Sequence, residues 1–481
     1  MRGASLLTGL LFLVVGFVCA LDAEAQFTTG TGGAERISTM TAPPVEREEL
    51  RAEEEWRLTQ MDLEELRPWW SDLFSLRMSA SSVLSTGTWS EHPSNRFSAH
   101  RGAGYRVQTA ATLTPPEPMA RYERGPWSVY GGVSVTSYYT NNMFLTPQNE
   151  ESGLVLMVTP QAGVTWTQSN YSADVRYGAT GYHSRFDEFQ RLEHQVSTDF
   201  SATIRQDLRA TVGNTYGMRT IAPGGKDMDY GKYYDNETRA NLVYNPWEDW
   251  AVDVGYDRYQ ARFHDPHTDN TTINAGSVLV SRRVAPAVWA QGHLRYEHTE
   301  NHDDGALNSD NQTYTGSVGV MFEPTAAVTG NVHMGYIDKN FDESAIDDEG
   351  TLYLNAQIIY SPREYLQLFW AAARSLYETS FSAMNAPDGP VFTGTSTSIG
   401  AEWDVADLWG VGVLWFYARD KYAWGGPARE DELYGGRASV YYEINPLARL
   451  VVAYQYQTND SNHSANDYDE NYASVGLDVS F

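Results

Sequence analysis

The sequence predicts an all-β transmembrane barrel, an antiparallel up-and-down sheet of about eighteen strands (roughly 16–20) behind a short helical segment. Three observations carry that prediction. An apolar leader opens the chain, hydrophobicity alternates with period two from Trp127 to Phe481, and short turns alternate with long polar loops.

Leu6 to Ala20 form an apolar run preceded by Arg2, and Ala23-Glu24-Ala25 supplies the small-x-small pattern of a signal-peptidase site. The reading is a secretory signal over residues 1–25, cleaved before Gln26, with Ala20 as the second choice. The run is short for a membrane anchor, and Gly16-Phe17-Val18 before Cys19 makes a poor lipobox. Cys19 is the single cysteine, so the mature chain is expected to hold no disulfide, thiolate nucleophile or cysteine metal site. Beyond residue 25 no apolar stretch reaches the length of a membrane helix, so a membrane-bound mature chain has to cross with strands.

Composition narrows the partners. The 34 basic and 62 acidic residues give a net charge of −28, beside 31 Tyr and 14 Trp. An acidic disordered chain would not carry so many aromatics, and no basic patch exists to neutralise nucleic-acid phosphates. Tyr and Trp at this density suit the interfacial girdles of a barrel. The partners expected are outer-membrane lipids and the barrel-assembly machinery.

Residues 26–126 read as a periplasmic segment. Pro43 to Leu66 is charged and rich in helix formers, but Leu50, Trp56, Leu58, Met61, Leu63 and Leu66 are too sparse for a core helix, so a short acidic solvated helix is expected. Segments 74–88 and 105–113 alternate weakly, and Pro115, Pro116 and Pro118 interrupt them. If these segments pair, the strand count rises by one hairpin. About forty residues of plausible order are too few for a large plug domain.

From Trp127 the alternation is regular. Val129, Gly131, Val133 and Val135 oppose Tyr130, Ser134 and Thr136; Leu154, Leu156 and Val158 oppose Thr159, Gln161 and Thr165. Ala173, Val175 and Tyr177 oppose Asp174 and Arg176; Trp250, Val252, Val254 and Tyr256 oppose Asp253 and Asp257. A soluble sandwich would alternate as well, and the connections separate the two. Turns are expected at Gln168-Ser169-Asn170, Arg205-Gln206-Asp207, Asn245-Pro246-Trp247, Val284-Ala285-Pro286, Glu323-Pro324-Thr325, Ser361-Pro362-Arg363 and Asn445-Pro446-Leu447. Long loops are expected near 141–152, 221–232, 264–270, 300–310, 341–349, 379–394, 422–432 and 460–469. One short end and one long end is the asymmetry of outer-membrane barrels, with short turns in the periplasm. The barrel is therefore placed at 127–481.

The last strand is the most specific single signal. Ala473, Val475, Leu477 and Val479 alternate with Ser474, Gly476, Asp478 and Ser480, and Phe481 continues the apolar phase to the carboxylate. Such an ending resembles the terminal signal read by the barrel-assembly machinery, and Phe481 is the expected assembly residue.

Tyr138-Tyr139-Thr140-Asn141-Asn142-Met143-Phe144-Leu145-Thr146-Pro147, followed by Glu150-Glu151-Ser152 and Pro160-Gln161-Ala162-Gly163, resembles the opening of the putative β-barrel porin type 2 family. Asn141 stands where that family more usually has Asp. The resemblance covers about residues 125–481 and rests on hairpin rhythm more than on invariant chemistry. It implies an association with exopolysaccharide synthesis and export, and hence polysaccharide and periplasmic export components as partners.

Strand phase puts Asp174, Arg176, Asp199, Arg205, Arg209, Asp253, Asp257, Arg295, Glu297, Glu402, Asp404, Arg437, Glu443 and Asp478 on the polar, lumen-facing side. In a water-filled lumen such charges carry no burial penalty and either set selectivity or simply brace the wall. Tyr130, Tyr138, Tyr182, Tyr259 and Tyr441 share that phase and are candidate stacking surfaces for sugars. Trp127, Trp166, Trp250, Trp403 and Tyr454 fall on the lipid phase as girdle residues. Asp342-Glu343 with Asp347-Asp348-Glu349 offers hard oxygen ligands but lacks the spacing of a calcium loop, and His264, His267, His298 and His302 fit no zinc-protease pattern. No nucleophile elbow or nucleotide-binding loop occurs, and no cofactor is implied. A passive conduit for a polar polymer is the expectation, with a general-diffusion porin and a barrel enzyme as the alternatives.

Overall fold

The computed structural model describes residues 122–480 apart from 144, 146–149, 187–189, 222–230, 264–269, 303–309, 326, 344–345, 364, 379–390 and 423–428. The signal segment, the acidic helix and segments 74–88 and 105–113 lie outside the described residues, as do Phe481, His264 and His267.

The strands are β1 (Tyr122–Arg124), β2 (Trp127–Thr140), β3 (Gly153–Gln168), β4 (Tyr171–Ser184), β5 (Arg191–Arg205), β6 (Leu208–Ile221) and β7 (Gly231–Trp247). There follow β8 (Trp250–Phe263), β9 (Asn270–Ala285), β10 (Val288–His302), β11 (Asn311–Thr325), β12 (Val328–Phe341) and β13 (Glu349–Arg363). The chain continues through β14 (Leu366–Glu378), β15 (Val391–Ala406), β16 (Trp409–Tyr422), β17 (Glu430–Asn445), β18 (Ala448–Ser461) and β19 (Tyr468–Ser480). Each strand pairs antiparallel with the next, and β19 returns to β2 from Tyr472↔Thr140 to Ser480↔Gly132. The eighteen long strands β2–β19 thus close on themselves, while β1 adds three residues along the start of β2. Closure leaves no sheet edge for lipid to face.

Two-residue turns at 169–170, 206–207, 248–249, 286–287, 326–327, 364–365, 407–408 and 446–447 form one rim, and connections of six to twelve residues form the other. Four expected turns come too early in the sequence reading. Asn245-Pro246-Trp247, Val284-Ala285, Glu323-Pro324-Thr325 and Ser361-Pro362-Arg363 are still strand. The register slips at Tyr244/Trp247, Phe322/Thr325 and Tyr360/Arg363, so three of those prolines sit in bulges just ahead of the real turns. Proline lacks the amide that a ladder position needs, and a bulge excuses it. The long connections are also trimmed: β15 begins at Val391, inside the loop expected at 379–394.

A recurring backbone stitch ties this rim together. Each of several descending strands donates an amide to the turn of the hairpin before it: Thr203 to Asn170, Asn245 to Asp207, Arg283 to Asp249, Ser361 to Ala327 and Asp404 to Tyr365, at 2.6–2.8 Å. Glu443 to Leu408 and Ser480 to Leu447, both 2.8 Å, complete the pattern. Amides that a hairpin end would leave open are thereby satisfied.

The outer surface is apolar and girdled. Trp127, Trp403 and Trp409 are half-exposed near the short-turn rim, where Trp127 contacts Trp166 and Trp247 contacts Trp250. Above the aliphatic band, Tyr216, Tyr256, Tyr296 and Tyr336 recur every fortieth residue, on β6, β8, β10 and β12. Upper tyrosines anchor to the neighbouring strand: Tyr177 Oη pairs with His194 Nδ1 at 2.8 Å, Tyr256 donates to Asn274 at 3.0 Å and Tyr454 to Asn471 at 2.6 Å. Rings in the acyl region with hydroxyls on polar partners are the geometry of an interfacial belt.

Candidate pore lining

Cross-strand partners share a face, so the register assigns every side chain. It puts thirteen of the fourteen charged residues expected in the lumen on the inner face; Arg205, beyond a register shift, pairs with Leu208 instead. Examples are Arg239↔Asp257, Arg295↔Ser277, Glu402↔Gly412, Arg437↔Gln455, Glu443↔Arg449 and Asp478↔Ser134.

They do not form one ring of charge; they form separate pairs. Near the short-turn rim, Arg176 pairs with Asp174 and donates to Tyr130 Oη at 2.8 Å, while Thr165 donates to Asp174 at 2.6 Å. The Tyr130 ring lies over Gly163, its cross-strand partner, where a Cβ would collide with it. A similar unit stands across β15–β18: Tyr441 covers Gly410, donates to Asp404 and has the Arg449 guanidinium 5.0 Å from its ring centre. Arg449 also contacts Glu443 at 3.3 Å. Glycine is required under each ring because only hydrogen fits there.

Further toward the long-loop end, Arg295 donates to Asp257 at 2.8 Å and reaches Glu297 at 3.5 Å. Arg209 donates to Ser201 at 3.1 Å. Arg205 is the exception in place: its side chain is 60% exposed and pairs with Asp207 of the turn at 3.1 Å, so it marks the rim and not the lumen.

The expectation that inner-face charges stand in open water needs correction. Glu297, Arg437 and Asp478 are 2%, 5% and 2% exposed. Long side chains lie along the wall and meet one another across strands, so pairing replaces hydration where geometry allows.

Several inner-face groups escaped the sequence reading. Arg239 pairs with Glu237 at 2.8 Å, Arg429 pairs with Asp431, and Lys339 donates to Asn311 at 3.0 Å. At the closure, Thr140 and Gln457 donate to the two oxygens of Glu470 at 2.7 and 2.9 Å, and Gln455 donates to Gln457 at 3.0 Å. Counting outward from Asp257 through the β7–β8 register would have found Glu237 and Arg239, since residues opposite each other share a face.

The candidate stacking tyrosines divide. Tyr130 and Tyr441 belong to the two units just described. Tyr138 stacks on Tyr472 at 5.0 Å beside Met143, Val155 and Met157. Tyr182 lies 4.1 Å beneath the Arg191 guanidinium, and Tyr259 is fully buried with Tyr233, Ala261 and Ile273. A stack missed from sequence, Tyr377–Phe392–Tyr422, runs across β14–β16 with centroids 5.4 and 5.0 Å apart. These inner aromatics sit toward the long-loop end, where loop residues Met143, Leu145 and Ile346 are also buried. Outside, apolar gives way to polar above the tyrosine belt; inside, an aromatic collar joins buried charges such as Arg429–Asp431 and Lys339 at the long-loop end.

In the acidic loop, Asp348 accepts the Phe341 amide at 2.9 Å, and His298 lies on the outer face 3.3 Å from Glu300. Among the described residues, no group of three His, Asp or Glu converges as metal ligands would.

A family model described as putative beta-barrel porin 2 matches residues 120–481. A comparison with curated proteins gives no match. Among solved structures, the outer-membrane protein opdK from Pseudomonas aeruginosa is similar at 12% identity and TM-score 0.44, over 73% of this chain and 99% of that one. A BenF-like porin from Pseudomonas fluorescens Pf-5 is similar at 10% identity and TM-score 0.44, over 73% and 99%. The siderophore receptor PirA from Pseudomonas aeruginosa is similar at 10% identity and TM-score 0.42, over 73% and 80%.

Proposed function

This chain belongs to the putative β-barrel porin 2 family, and from that premise we propose that it is a passive outer-membrane conduit for a polar polymer, an exopolysaccharide being the substrate class. The observation that carries the reading is the character of the inner wall. Many of its charges stand in opposite-sign pairs such as Arg295–Asp257 and Arg176–Asp174, with hydroxyls and amides between them. A wall that carries both signs of charge beside hydroxyls and amides offers hydrogen bonds of both senses. An ion-selective or phosphate pore would instead concentrate one sign of charge.

The aromatic collar supports the same reading, because flat rings such as Tyr377, Phe392 and Tyr422 present apolar faces of the kind that pack against sugar rings. The wall needs neither nucleotide nor metal to do this work, and the proposed activity is not enzymatic. Polysaccharide and periplasmic export components are the proposed partners.

Deletion in the native cell tests the proposal. Loss of the protein is expected to trap polymer in the periplasm while uptake of small solutes stays unchanged. Normal surface polysaccharide with slowed small-solute uptake would overturn export and leave a general-diffusion porin.

A further inference from the structure

We propose that the outer face of β6–β9, just above the tyrosine belt, binds the phosphate of a glycolipid headgroup in the outer leaflet, through Arg258 and Arg262. The inference is independent of what passes through the lumen.

The register fixes the direction of both arginines. Val254 and Tyr256 are about half-exposed on the lipid side, and Arg258 and Arg262 share their phase on β8. At about 3.4 Å of rise per residue and a tilt of about 40°, the two Cα atoms stand roughly 5 and 15 Å above that of Tyr256. Headgroups occupy about 5–7 Å beyond the hydrocarbon edge. Arg258 is therefore level with them, and the long side chain of Arg262 can reach down to their outer side.

Among the described residues the surroundings are free of acid on that face. The outward neighbours on β7 and β9 are Tyr234, Asn236, Thr238, Asn274 and Thr272, all neutral hydrogen-bonding groups. Asn214 on β6 holds this surface together by donating to Asn236 at 2.7 Å and to Thr238 at 2.9 Å. The nearest carboxylates in the register, Asp235, Glu237 and Asp257, belong to the inner face. Among the described residues neither Arg258 nor Arg262 forms an ion pair.

Among the described residues, other outward cations at this height already have partners. Arg419 contacts Glu430 and Glu432, Lys421 lies 3.6 Å from Glu430, and Arg374 donates to Thr351 and Thr395. In a chain of net charge −28, two guanidinium groups on one strand face, separated by Gln260 and without an acidic partner among the described residues, make a local reversal of sign. Guanidinium forks match phosphate oxygens in charge and shape, and basic residues beside a membrane recognise anionic headgroups.

The full chain, folded in detergent, is to be mixed with a bis-phosphorylated glucosamine-disaccharide lipid, and retained lipid read by native mass spectrometry. Arg258→Gln with Arg262→Gln is expected to cut retention by about tenfold or more. Arg258→Lys with Arg262→Lys should keep part of it, and Arg419→Gln should change nothing. Enzymatically dephosphorylated lipid should bind wild type no better than intact lipid binds the double Gln variant. Heat-modifiable migration on gels establishes that each variant is folded. Equal retention by folded wild type and double Gln variant would overturn the site, as would indifference to dephosphorylation. Displacement by millimolar inorganic phosphate would assign the arginines to a soluble anion and overturn the lipid proposal.

Discussion

Thr140 donates its hydroxyl to Glu470 at 2.7 Å across 330 residues of sequence, joining β2 to β19 by a buried side-chain bond beside the backbone ladder. Thr140→Val keeps the shape and removes the hydroxyl, taking one donor from Glu470 and the acceptor of the Asn142 amide. A loss of about 1–3 kcal/mol is expected, read as a lower temperature for the gel shift of the folded barrel. Thr140→Ser should retain most of the wild-type value. Identical transitions for Val and wild type would show that the closure gains nothing from this bond.

Val254 projects to lipid between Trp250 and Tyr256, while Asp253 projects inward. Val254→Arg is expected to destabilise folding by about 2–4 kcal/mol near the bilayer midplane, measured by denaturant titration in liposomes. Asp253→Asn should cost much less. Equal effects at the two positions would contradict the register.

Orientation follows from loop length. An epitope inserted within 342–348 should be labelled on intact cells, and one at the 364–365 turn should be reached only after the outer membrane is opened. The opposite labelling pattern would invert the barrel.

Phe481 continues the lipid-facing phase of Val475, Leu477 and Val479. Deleting it should lower the amount of heat-modifiable protein in the outer membrane while secretion to the periplasm persists. Unchanged assembly would remove the terminal-aromatic argument.

The strands were legible because lipid and lumen demand opposite side chains at successive positions, which writes period two directly into segments such as Trp250–Tyr256. The turns were less legible. Pro246, Pro324 and Pro362 punctuate the sequence, yet each marks a bulge that lets the strand run on before it reverses. The face of each wall charge was readable, but its partner was not. Arg295 meets Asp257 from 38 residues away, two strands over.

What the sequence by itself determined is the alternation, the asymmetry of connections and girdle residues such as Trp127, Trp250 and Tyr454, because each follows from the solvent that a local stretch of chain meets. Only the tertiary structure decided closure through Ser480 and Gly132, the pairing of wall charges, the glycines beneath Tyr130 and Tyr441, and the aromatic collar. These depend on register, and register brings together residues whose separation in sequence carries no signal. The same holds for Arg258 and Arg262: their spacing reads as alternation, and only the absence of acid on the neighbouring outer faces of β7 and β9 sets them apart.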